Sequence, residues 1–100
     1  DTTDLFKGWK AVFSNPGDKV AFNELDFGKK APKSVVLCVK APQGGGMALT
    51  AGETMTVTLP AAEEWTEVCM PMPFKVKRMH NLEMKLVEGT DVEIDWITFR

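Results

Sequence analysis

A chain of 100 residues is long enough for one modest hydrophobic core and too short for a catalytic domain beside a separate binding domain. With 44% hydrophobic and 26% charged residues, the composition is that of an ordinary globular domain, and no apolar run approaches the length of a membrane-spanning helix. The formal net charge is -2, and Lys and Arg are scattered along the sequence with no dense cationic run, which sets aside nucleic acid and membrane as partners.

The first residue is Asp1, with no initiator Met and no secretory signal pattern, so the sequence reads as a mature fragment or as one domain, 1-100, excised from a longer protein. Leu5, Phe6, Trp9, Val12 and Phe13 are spaced for neither a helix nor a strand, and a short strand is expected over Lys10 to Ser14. Asn15-Pro16-Gly17-Asp18 is a turn, because proline presets φ and glycine supplies conformational freedom after it. An imperfectly alternating strand follows over Lys19 to Leu25, and Lys29, Lys30, Ala31 and Pro32 form a basic, solvated loop.

Ser34 to Ala41 is the clearest strand, with Val35, Leu37 and Val39 on one face and Val36 and Cys38 on the other. Pro42-Gln43-Gly44-Gly45-Gly46 reads as a flexible connection, since it lacks the spacing and the lysine of a phosphate loop. Met47 to Thr50 and Thr54 to Leu59 are strands on either side of Ala51-Gly52-Glu53, and Pro60 to Glu64 is a loop. The strand Trp65 to Met70 ends at Pro71-Met72-Pro73, where each proline lacks a donor. Phe74, Val76 and Met79 suggest a short strand, His80 to Val87 a longer one, and Glu88-Gly89-Thr90-Asp91 turns the chain into a last strand, Val92 to Phe99. Many short strands separated by turn signals imply an all-β fold, a two-sheet antiparallel β-sandwich.

The last strand places Ile94 and Trp96 on one face and Asp95, Ile97 and Phe99 on the other by the period of two. A carboxylate on a core-facing side costs free energy unless it is hydrogen-bonded, paired with a cation or bound to a metal, which makes Asp95 the sharpest chemical signal in the chain. Trp65 and Trp96 lie within strands and are expected in the core, while Trp9, after Gly8, is either an exposed stacking platform or a core or interdomain ring. Cys38 and Cys69 fall in separate strands without a C-x-x-C pattern and read as free buried thiols, the even count permitting one disulfide between them as the alternative. The methionines read as fillers of core gaps. His80 has no evident partner and reads as structural, and Ser14 and Ser34 lie in no Gly-x-Ser-x-Gly elbow. Nucleophile, base and orienter do not occur together, so the chain is not read as an enzyme.

In order along the chain, Gly-Asp-Lys-Val-Ala-Phe from Gly17, Leu-Asp-Phe-Gly from Leu25, Ser-Val-Val-Leu-Cys-Val-Lys-Ala from Ser34, the glycine-rich loop, Trp-Thr-Glu-Val from Trp65, His-Asn-Leu-Glu-Met-Lys-Leu from His80 and the closing Val-Glu-Ile-Asp-Trp-Ile-Thr-Phe resemble family 6 carbohydrate-binding modules. The resemblance implies a galactose-binding-like jelly roll, attached as a non-catalytic accessory domain to a secreted or periplasmic bacterial glycoside hydrolase, such as a beta-galactosidase. Its partners would be a carbohydrate or the parent hydrolase domain. Family modules stack aromatic rings on sugar faces, but Ala61-Ala62-Glu63-Glu64 stands where one stacking ring lies, Lys19 where the second lies, and Glu93 where a polar Asn usually reads the sugar. The remaining candidates for sugar contact are Trp9, Asp91 and Glu93. The last two are adjacent acids at a turn, which ordinarily form a solvated rim. Asp95 matches a family carboxylate that helps hold a structural calcium, with Asp4 or Asp1 as the acid available to join it, and a hydrogen bond from backbone N–H groups is the alternative. A structural accessory domain, with a degenerate cleft and packed on the parent through Phe6, Trp9 and Phe74, is the second functional reading.

Overall fold

The computed structural model describes residues 10–100. Trp9 and Asp4, and with them Asp1 and Phe6, lie outside the described residues. Eight strands follow one another: β1 (Ala11–Phe13), β2 (Lys19–Asp26), β3 (Ser34–Ala41), β4 (Gly45–Ala51), β5 (Glu53–Leu59), β6 (Ala62–Pro71), β7 (Met79–Glu88) and β8 (Val92–Phe99). They form two four-stranded antiparallel sheets, ordered β1-β8-β3-β6 and β2-β7-β4-β5. This alternation of successive strand pairs between sheets is the jelly-roll sandwich expected from the sequence.

Period-two alternation feeds one core from both sheets. Val35, Leu37, Val39 and Ala41 of β3 meet Met47, Leu49 and Ala51 of β4, Met55, Val57 and Leu59 of β5, Leu82, Met84 and Leu86 of β7, and Val92, Ile94 and Ile97 of β8. At about 25 cal/mol per Å² of apolar area removed from water, each such Leu, Ile, Met or Val adds roughly 1.5–3 kcal/mol. Of the methionines, Met47, Met55 and Met84 fill the core as anticipated, whereas Met79 is exposed.

Four irregularities in strand pairing re-aim side chains, as β-bulges do. In β8, Trp96 pairs with Cys38 and Ile94 with Val39, so Asp95 is an extra residue with no partner on β3. The alternation therefore resets there: Ile94 and Ile97 are buried, while Asp95 is exposed and Trp96 half-buried on the outer face. The sequence expectation that Asp95 shares the core face of Ile97 is thus corrected, because period two does not survive a bulge. In β6, Thr66 pairs with Val39 and Ala62 with Ala41, leaving Glu63, Glu64 and Trp65 opposite Lys40. Another bulge falls between Phe22 and Leu25 of β2, where Glu24 has a φ of 57°, and a fourth at exposed Val87 of β7.

Two further expectations are revised. Residues 74–78 form no strand; Phe74 and Val76 pack on the core from a loop, and Met79 opens β7. Gly45 and Gly46, taken from the sequence as a loop, are the first residues of β4. Gly45 is there because the backbone at the end of β7 comes too close for a side chain: a Cβ on Gly45 would overlap the Glu88 carbonyl, and one on Gly89, just after β7, would overlap that of Gly44.

Candidate functional site

Strand directions bring the β1–β2 turn, the β3–β4 connection and the β7–β8 turn to one end of the sandwich. Asp18 accepts hydrogen bonds through Oδ2 from the backbone N–H of Ser14 at 2.9 Å and of Asn15 at 3.0 Å, closing the first turn. The second and third segments are joined by the glycine contact and by Thr90 Oγ1 facing Gln43 Oε1 at 3.4 Å. Asp91 sits here, exposed, with a φ of 55° and its N–H donated to the Ser14 carbonyl at 3.2 Å. It is fixed by its backbone and leaves its carboxylate to solvent.

Glu93 does not join Asp91 at that end. It begins the outer face of the first sheet, in one lateral row: β1 Val12 pairs with Glu93, and Glu93 pairs with β3 Lys40. Lys40 Nζ lies 5.8 Å from the ring centroid of Trp65 on β6, a cation–π contact that covers the ring only in part, since Trp65 remains 42% exposed. The sequence expectation of a core Trp65 is therefore overturned. Val68 and Met70 are the β6 residues packed on the core, so Trp65, Glu67 and Cys69 share the outer face by period two. That phase was available in the sequence. Trp96, also expected in the core, is half-buried on the same face beside Cys38.

Lys10 forms an ion pair with Glu93. The hydrogen bond from Lys10 holds the Glu93 carboxyl below its ordinary range, helped by the charges of Lys10 and Lys40 and opposed by partial burial. A carboxyl depressed in the folded chain adds stability above its unfolded pKa, about 4.3 for Glu, and loses it as the pH falls through the folded value. Glu93→Gln should therefore melt slightly below the parent at neutral pH, by no more than the roughly 1 kcal/mol of an exposed pair. The difference should close in acid below the carboxylate range. A gap that stays constant across that range would assign the effect to packing and not to charge.

Asp95 is exposed on this outer face; burial, and after it the charges of Asp95 and Glu67, push the Cys38 thiol upward. Cys38 and Cys69 are both free. Instead of buried they are half-buried and exposed, respectively, because both fall out of phase with the inward residues of their strands. Among the described residues no three His, Cys, Asp or Glu gather as a metal site requires, and calcium asks for six to eight oxygens. The calcium that the resemblance implies beside Asp95 rests on Asp4 or Asp1, which lie outside the described residues.

The outer face of the second sheet carries a shallow polar groove of about 390 Å³, lined by Asn23, Thr50, His80, Asn81 and Glu83. Asn81 accepts the Glu24 N–H through Oδ1 at 2.9 Å and so holds the β2 bulge, and Thr50 shares a hydroxyl hydrogen bond of 2.9 Å with Thr54. His80 is exposed at the groove's edge. The groove presents hydroxyl and amide groups without an indole platform, whereas the first sheet presents an indole with a cation against it and, one strand beyond that cation, the carboxylate of Glu93.

No family model matches the chain, and no curated protein sequence does. Solved structures do match. The module CsCBM6-3 of Clostridium stercorarium, solved with cellobiose, superposes with a TM-score of 0.75 at 16% identity over 90% of this chain and 72% of that one. A glycoside hydrolase family 43 arabinoxylan arabinofuranohydrolase of Bacillus subtilis, solved with cellotetraose, matches with a TM-score of 0.78 at 20% identity, over 90% of this chain but 20% of its own. The C-terminal CBM6 of a marine laminarinase from Zobellia galactanivorans aligns over 96% of this chain and 91% of its own, at 14% identity and a TM-score of 0.68. With its two four-stranded sheets and strand order, the chain has the fold of the family 6 carbohydrate-binding modules.

Proposed function

We propose that this chain is a non-catalytic carbohydrate-binding module that tethers a secreted or periplasmic glycoside hydrolase to its glycan, and that the platform for the sugar is Trp65. The observation that carries the reading is an indole left 42% exposed on a sheet face, with Lys40 against it and Glu93 paired to Lys40 across the strands. A pyranose ring has one face of C–H groups that lies flat on an indole, and a rim of hydroxyls that an ammonium and a carboxylate engage as donor and acceptor. The likeness to a module solved with cellobiose and to an enzyme solved with cellotetraose supports the same class of ligand. Contact is one-sided here, because Lys19 and Ala61 to Glu64 stand where the resemblance places stacking rings. A one-sided platform suits a polysaccharide chain lying along a surface better than a sugar clamped between two rings.

Titration of the chain with soluble plant and algal glucans and xylans, followed by tryptophan fluorescence and calorimetry, tests this. At least one glycan should bind saturably. Trp65→Ala should weaken it by about tenfold or more, the roughly 1.4 kcal/mol or more carried by a central aromatic contact. The melting temperature should move little, because this ring contributes little to the core. Silence across the panel, or unchanged affinity in the Trp65→Ala chain, would sink the assignment.

A further inference from the structure

The scatter of cations along the sequence disappears in three dimensions. At the end of the sandwich away from Asp91, the β2–β3 loop presents Lys29, Lys30 and Lys33, and the β6–β7 loop presents Lys75, Lys77 and Arg78, all exposed. Arg100 joins them: its N–H is donated to the Ser34 carbonyl at 2.9 Å, and its own carbonyl accepts from Lys33 N–H at 2.6 Å. These are seven of the chain's twelve Lys and Arg, and residues 27–33 and 72–78 contain no Asp or Glu. None of the seven forms an ion pair among the described residues.

The two loops are also rigidly joined. Phe27 N–H is donated to the Arg78 carbonyl and Arg78 N–H to the Gly28 carbonyl, both at 2.8 Å, and Met72 N–H reaches the Lys33 carbonyl at 2.9 Å. Arg78 is held at a φ of 60°, a conformation that costs a non-glycine residue free energy and that these two bonds maintain. Between the loops runs a groove of about 390 Å³ whose floor is Ala31, Pro32, Met72, Pro73 and Phe74, with Lys33 and Lys75 beside it. It is poor in the hydroxyl, amide and carboxylate groups that read a sugar, and rich in flat apolar surface under positive charge.

We infer that this end docks an acidic polypeptide segment that seats an apolar side chain in the groove. The fixed cations supply steering and complementary charge, and the preorganised loops lower the ordering cost of association. The lining chooses between polyanions. A glycan sulfate, a uronate or a phosphate backbone engages the lysines but leaves the Pro32, Pro73 and Phe74 floor without an apolar occupant, whereas a Leu or Phe flanked by Glu or Asp satisfies both. The surface begins past the end of β6, six residues from Trp65 and roughly 20 Å away at 3.3 Å per residue, so it stands independently of glycan binding.

Fluorescence anisotropy of the full chain against labelled probes of matched length tests the inference. The probes are a peptide alternating Glu and Leu, a peptide alternating Glu and Ser, a sulfated dextran and duplex DNA. The Glu-Leu peptide should bind at low salt, several-fold more tightly than the Glu-Ser peptide, and weaken as salt is raised. The double variant Lys33→Glu, Lys75→Glu, both exposed and so expected to keep the parent melting temperature, should lose about tenfold or more of that affinity. Equal binding of the two peptides, tighter binding of the dextran or DNA than of the Glu-Leu peptide, or an unaffected double variant would overturn it. Self-association of the chain that the double variant abolishes would also overturn it, by making a second copy the occupant through its acidic opposite end.

Discussion

Replacing Gly45 by alanine should be among the most damaging single-methyl changes in this chain, lowering stability by about 3 kcal/mol or more. Two costs add. Gly45 has a φ of 147°, which an L side chain resists by about 1–3 kcal/mol, and a Cβ there would overlap the Glu88 carbonyl, so the start of β4 and the end of β7 must move apart. The obstacle is backbone, which cannot rotate away as a side chain can. Gly52 is the internal control. Its φ of 80° carries the conformational cost, but the nearest atoms to a Cβ there belong to the exposed His80 ring at 3.6 Å, an ordinary contact. Gly52→Ala should therefore cost only about 1–2 kcal/mol. At roughly 4–8 °C per kcal/mol for a domain of this size, melting curves separate the two variants easily. A Gly45→Ala chain that melts with or above Gly52→Ala would show that the close approach of the two strand ends does not hold.

The second large effect contrasts two residues of the final strand. Ile97→Ala should cost about 2–5 kcal/mol, because Ile97 is fully buried between the sheets and its loss leaves a cavity. Deleting Asp95 outright should cost no more than about 1 kcal/mol. The reason is register. With Asp95 gone, Ile94 opposite Val39, Trp96 opposite Cys38 and Ile97 opposite Leu37 follow one another in regular antiparallel pairing, and the inward set is unchanged. Had Asp95 shared the face of Ile97, as unbroken alternation suggests, its deletion would turn Ile97 and Phe99 to solvent and cost as much as the core truncation. Denaturant midpoints of the two variants decide between these pictures, and a rise of the parent's midpoint on adding calcium that the Asp95 deletion abolishes would show that a metal contributes at that carboxylate.

The fold was legible because it rests on local signals. Ser34 to Ala41 and Val92 to Phe99 were bounded correctly from apolar runs ending at turn residues, and Asn15 to Asp18 and Glu88 to Asp91 turn where Gly, Pro, Asn and Asp predict. The false strand around Phe74 and Val76 has a plain cause. Apolar residues in a loop can reach the core as well as those in a strand, and alternation over so few positions does not tell the two apart. The site was less legible. Trp65 lies within a strand and for that reason reads as core, although its phase with Glu67 and Cys69 points outward. Asp91 and Glu93, two apart in sequence, were grouped, yet one lies on the loop end and the other on a sheet face.

What the sequence determined by itself is the sandwich: strand spacing, turn chemistry and the alternating Val, Leu, Ile and Met that close one core. Those follow from the geometry of a few adjacent residues. Only the tertiary structure decided where the chemistry lies. The bulge at Asp95 reversed the expected facing of a carboxylate, pairing across β8, β3 and β6 assembled Glu93, Lys40 and Trp65 into one row, and strand direction collected Lys29 to Arg100 at one end. Each depends on which residue of a distant strand lies opposite, and register between strands far apart in sequence is set by the packing of the whole core.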